Sequence, residues 1–127
     1  MAANFMTSVP SIDSNDSAVL VERRLGQRHQ VFLGGRALAR DRVIDVTFRD
    51  LSAQGARLLV TEPIAQAGEL PVLILKEGLI LRAWIIWARP PMFGLEFREA
   101  IDVRGECPAR FAALVDAWRC WQADQAD

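Results

Sequence analysis

From Val31 to about Phe97 the chain is a succession of short runs rich in β-branched, aliphatic and aromatic residues, each cut off by turn-forming residues. This pattern constrains the fold more than any other feature, because helices need longer stretches with a 3.6-residue period. In residues 43–48, Val43, Asp45 and Thr47 share one face, and Ile44, Val46 and Phe48 the other. Residues 56–60 follow Gly55. Residues 70–75 form an apolar run that Lys76-Glu-Gly78, a hairpin signal, separates from residues 79–87. That run stops at Pro90-Pro91, and residues 92–97 make one more short strand. Gly34-Gly35, in the first run, reads as a bulge or bend. Six strands at this spacing predict an antiparallel barrel or sandwich.

The two ends differ from the middle. Phe111, Leu114, Val115 and Trp118 fall at the i, i+3, i+4, i+7 positions of an amphipathic helix. Pro108 suits its first turn, so a helix is expected over about 108–122. Residues 1–20 hold Ser8, Ser11, Ser14 and Ser17 with few apolar side chains, and are expected to be a disordered tail. The folded unit is then 21–123, an all-β domain: a small β-barrel closed by one C-terminal helix.

Several function classes fall away early. A single histidine, His29, placed before the first expected strand, leaves no histidine-based metal site or triad, and no metal or cofactor is expected. Phosphate-cradling glycine loops are missing. Cys107 near a helix start could have a lowered pKa, but a small residue at that place is the plainer reading. If the stretch to Cys120 is helical, the thiols lie roughly 20 Å apart, too far for a disulfide. Free thiols, no basic leader and no run of ~18 apolar residues lead to the expectation of a cytoplasmic protein without a membrane span. A net charge of −1 argues against wholesale binding to a nucleic acid polymer.

Arginine and one serine are more informative. Of 15 basic residues only Lys76 is a lysine. Arg23, Arg24 and Arg28 cluster just before the first strand, where planar guanidinium forks can grip phosphate and the O6/N7 edge of guanine. Past Ser17 the only serine is Ser52, inside Asp50-Leu-Ser-Ala-Gln-Gly55. That segment reads as a polar turn, with Gly55 supplying a positive φ. It can also serve as a receptor for a guanine edge: the Asp50 carboxylate accepts from N1–H and N2–H, Ser52 assists, and Gly55 keeps the backbone close.

Together these elements resemble the PilZ domain, a bacterial receptor family for cyclic di-GMP. The family pattern is RxxxR before the first strand, then [D/N]xSxxG about twenty residues further on. Arg24-Leu-Gly-Gln-Arg28 fits the first part and Asp50-Leu-Ser-Ala-Gln-Gly55 the second, and Arg23 supplies the extra arginine often found ahead of the motif. Residues 82–87 followed by Gly94-Leu-Glu-Phe97 look like the family's last two strands. The resemblance covers roughly residues 21–120. It implies a six-stranded antiparallel β-barrel with a C-terminal helix and no enzymatic activity. It also implies a ligand site in which Arg23, Arg24 and Arg28 clamp phosphates and bases against a wall of Asp50, Ser52 and Gly55.

The implied mechanism is a switch. Like charges at Arg23, Arg24 and Arg28 repel until a dianionic ligand neutralises them and orders the segment against the barrel, creating a surface that an effector protein reads. The alternative is a PilZ-like protein-interaction module that does not bind nucleotide. Four tryptophans keep it in view. Trp118 belongs to the helix stripe, either Trp84 or Trp87 can face inward, and Trp121 either caps the barrel or forms a homodimer surface. Single-strand binding by a small barrel is disfavoured by the near absence of lysine and the lack of tyrosine.

Overall fold

The computed structural model describes residues 29–64 and 68–125. Six antiparallel strands close into a barrel: β1 (His29–Ala39), β2 (Arg42–Leu51), β3 (Gly55–Leu59), β4 (Val72–Ile74), β5 (Leu79–Arg89) and β6 (Met92–Asp102). Around the barrel the order is β1-β2-β3-β6-β5-β4, with β4 returning to β1. A 3-10 turn (Ala109–Phe111) leads into the C-terminal helix α1 (Ala112–Gln125). The barrel and terminal helix are those expected. The expected tail over 1–20 lies outside the described residues.

Two apolar clusters explain which strands alternate and which do not. Inside the barrel, Ile44, Val46 and Phe48 of β2 meet Leu58, Ile74, Leu81, Ala83, Phe93 and Leu95. Outside it, Leu38, Leu73, Leu75, Ile80 and Val103 meet Phe111, Leu114 and Val115 under α1. Neighbouring residues such as Leu73 and Ile74, or Ile80 and Leu81, therefore point to different cores, and all are fully buried. Residues 70–75 read as an unbroken apolar run because β4 is covered on both faces. β2 alternates because its outer face, at Asp45, meets water. Burying Phe111 and Leu114 contributes about 1.5–3 kcal/mol each, which docks the helix.

Several local expectations change. The register of β1 against β2 shifts between Gln30 and Leu33, while Gly34 and Gly35 pair regularly with Thr47 and Val46. The Gly34-Gly35 bulge is therefore corrected: a Cβ at Gly35 would strike the Phe48 ring and the Leu73 carbonyl. His29 opens β1 instead of preceding it. Pro108 caps the 3-10 turn, so α1 starts at Ala112, later than expected. The Lys76-Glu-Gly78 turn is present, and Gly78, with φ 64°, meets the need for a left-handed residue there. β6 runs on to Asp102, which pairs with Leu79.

Neither Trp84 nor Trp87 faces inward. Leu81, Ala83 and Ile85 alternate inward, which turns Trp84 outward, and the register shift between Ile85 and Trp87 interrupts that alternation before Trp87. Trp84 lies instead under the Arg98 guanidinium, 4.1 Å from its ring centre. Trp118 and Trp121 both pack, partly buried, on the helix-side cluster.

Candidate functional site

The site grows from the end of β2. Phe48 anchors in the core, the register against β3 shifts between Phe48 and Asp50, and Leu51 is buried again. Bulges of this kind re-aim side chains. Here the result is a buried carboxylate, with the Asp50 side chain 9% exposed. Across the pair, Arg57 of β3 places Nε 3.5 Å from Asp50 Oδ2. That separation exceeds the 2.7–2.9 Å of a charge-assisted hydrogen bond, so the two form a loose ion pair.

Ser52 then builds the turn. Its backbone N–H donates to the Gly55 carbonyl at 2.9 Å, its hydroxyl donates to the same oxygen at 3.3 Å, and Gln54 N–H donates to Ser52 Oγ at 3.3 Å. The polar-turn reading of this segment therefore holds for Ser52. The expectation for Gly55 is corrected, since it has no left-handed φ. Glycine is required there because a Cβ would collide with the Leu95 carbonyl of β6, to which β3 is paired.

Beside this turn lies an open groove of about 360 Å³. Ser52, Gln54, Gly55 and Arg57 form one side, and Ile86, Trp87, Gly94 and Glu96 the other. Trp87 and Ile86 are among the exposed large apolar residues. Ser52 and Gly55 thus share a wall, whereas Asp50 sits behind Arg57 and does not line the groove. Glu96 accepts from Arg98 Nε at 3.2 Å. On the other flank of Asp50, the Arg49 guanidinium stacks 4.3 Å from the ring centre of Phe32, which is 77% exposed.

Arg23, Arg24 and Arg28 lie outside the described residues. The backbone nonetheless enters β1 at His29, whose Cα partner is Leu51, so the chain following the RxxxR stretch joins the barrel beside Asp50 and Ser52. Arg57 and Trp87 are site neighbours that sequence reasoning does not single out. The signal for Arg57 is its place two residues after Gly55 on the next strand; for Trp87 it is the facing glycine at position 94.

Cys107 is no nucleophile candidate. Burial pushes its thiol up and the Asp102 carboxylate adds to this, with Arg119 opposing. The lowering that a helix start could bring is not found, because the 3-10 turn separates Cys107 from the start of α1; the plainer reading of Cys107 as a small residue stands. Among the described residues no cluster of His, Cys, Asp or Glu could hold a metal. No described helix is long and apolar enough to cross a membrane.

A comparison with protein families matches the PilZ domain over residues 22–112. The chain belongs to the PilZ domain family. Members of this family are in general cyclic di-GMP receptors and adaptors, not enzymes. Among solved structures, this PilZ domain is similar to the PilZ domain of CeSA from a cellulose-synthesizing bacterium, at 23% identity over 56% of this chain and 79% of that one, with a TM-score of 0.45. It is also similar to the Bacillus subtilis inhibitor of motility MotI/DgrA, at 18% identity over 77% of this chain, with a TM-score of 0.45. The PilZ chain spans 50% of the length of MotI/DgrA. Curated proteins provide no match.

Proposed function

We propose that this PilZ domain binds cyclic di-GMP and relays its presence to an effector protein, without catalysis. One observation carries the reading. Ser52 and Gly55 wall a groove next to the Asp50 carboxylate, at the strand end where His29, directly after Arg24-Leu-Gly-Gln-Arg28, pairs with Leu51. The strand that follows the first motif in the chain is thereby a neighbour of the second.

The chemistry suits a guanine dinucleotide. The Asp50 carboxylate offers two acceptor oxygens for the N1–H and N2–H donors of guanine. Arg23, Arg24 and Arg28 supply the forked donors that phosphates and the guanine O6/N7 edge accept from. Converging guanidinium groups create a local positive field even in a chain of net charge −1. A partner that prefers the liganded form must also tighten ligand binding, by linkage.

Isothermal titration calorimetry of the full chain tests the reading, with cyclic di-GMP, with cyclic di-AMP, and with Arg28→Ala. Saturable binding of cyclic di-GMP alone, lost in Arg28→Ala, is the expected result. Absence of heat with the wild type at high protein concentration sinks the proposal and leaves a PilZ-like interaction module that does not bind nucleotide.

A further inference from the structure

The groove holds one cation that neither motif accounts for. Among the described residues lining it, Arg57 is the only one with a positive charge, and the one anion, Glu96, is already paired with Arg98. Arg57 is half-exposed, and its contact with Asp50 is a loose 3.5 Å ion pair through Nε. Its guanidinium is planar and forked, with two terminal nitrogens besides Nε, the geometry that suits a phosphate.

We infer that Arg57 is a further ligand-binding residue, which exchanges the Asp50 carboxylate for a phosphate of the cyclic dinucleotide; the inference rests on the cyclic di-GMP reading of the same groove. A guanine edge that donates to both Asp50 oxygens takes the partner Arg57 holds in this structure. Left alone, that step would strand a half-buried cation. A phosphodiester oxygen within reach supplies the new partner, so the charge stays compensated as the ligand enters. Arg57 thereby couples recognition of the base at Asp50 to recognition of the anion, and makes entry favourable to a nucleotide over an uncharged guanine.

The affinity for cyclic di-GMP, measured by calorimetry on the full chain at low and high salt, decides this for wild type, Arg57→Gln and Arg57→Lys. Gln keeps a donor for Asp50 without charge, and Lys keeps the charge without the fork. Thermal melts confirm that each variant folds; should Arg57→Gln fail to fold, Arg57→Ala takes its place. The expected result is a loss of about tenfold or more in Arg57→Gln at low salt, shrinking as salt rises, with part of the affinity kept by Arg57→Lys. Equal or tighter binding by Arg57→Gln overturns the inference, because Arg57 would then merely compete for Asp50. A loss that is the same in both variants and indifferent to salt also overturns it, since that marks a positioning role. If the wild type binds nothing, the cyclic di-GMP reading falls and this inference with it; the first two outcomes leave that reading standing.

Discussion

Trp87 fills the space that a side chain at Gly94 would occupy: a Cβ built on Gly94 falls onto the Nε1, Cε2 and Cδ1 atoms of the indole. The two residues are cross-strand partners of β5 and β6, and together they form one side of the groove. Because the obstacle is an exposed side chain, Gly94→Ala should be tolerated by moving the indole. We expect a stability change within about 1.5 kcal/mol in chemical denaturation but a clear shift in tryptophan emission. The shift should vanish in a Trp87→Phe background; an emission change that persists there would place the disturbance at another tryptophan.

Gly55→Ala should behave differently, although the same groove contains it. There the obstacle is the Leu95 carbonyl, part of the β6 backbone, and it cannot turn aside. The β3–β6 pairing must open at Gly55↔Glu96, with loss of order in the Ser52–Gly55 turn. A destabilisation of about 2–3 kcal/mol is expected in urea titrations. A stability equal to wild type would mean that the two strands approach less closely than this.

The Glu69 carboxylate ties three elements together. It accepts from Arg82 of β5 at 3.1 Å and from both terminal nitrogens of Arg110, in the 3-10 turn, at 3.2 and 3.1 Å. Burial pulls its pKa up, but the hydrogen bonds from Arg110 and Arg82 and their charges outweigh this and hold it below the ordinary 4.5. A pKa depressed by folding contributes stability that is present above the unfolded value and lost as pH falls through the folded one. Glu69→Gln should therefore cost about 1 kcal/mol at pH 7, with the gap to wild type closing below pH 4.5. Melting curves from pH 7 to pH 3 measure it; a gap that ignores pH would show that the carboxylate charge is irrelevant.

The two thiols should react at very different rates. Cys120 is exposed on α1, while Cys107 is partly buried, its Sγ donating to the Asp102 carbonyl at 3.5 Å and its pKa pushed up by that burial. An aromatic disulfide reagent at neutral pH should give one fast and one slow phase. Cys120→Ser should abolish the fast phase; its survival in that variant would mean that Cys107 is the reactive one.

Much of the architecture is legible along the chain because it depends on local periodicity. Ile44, Val46 and Phe48 alternate with exposed positions, and two-residue alternation is all a strand needs to choose its inner face. Leu114 and Val115 choose the buried face of α1, with Phe111 just before it, through the 3.6-residue helical period. The turn from Ser52 to Gly55 is recognisable since serine acts on its immediate neighbours. The family motifs add the order of the two halves of the site, although Arg23, Arg24 and Arg28 lie outside the described residues.

What lies beyond local periodicity was settled by pairings between distant segments. The need for glycine at positions 35 and 55 comes from Phe48 and Leu95, neither of them close in sequence to the glycine they exclude from bearing a side chain. The exposure of Trp87 follows a register shift in β5 that depends on its pairing with β6. Burial of Asp50 behind Arg57, and the meeting of Arg57 with Trp87 in one groove, required β3 to pair with β6 and the barrel to close. Side-chain character and period are written residue by residue; register, bulges and burial are properties of contacts, and they exist only once the strands have found one another.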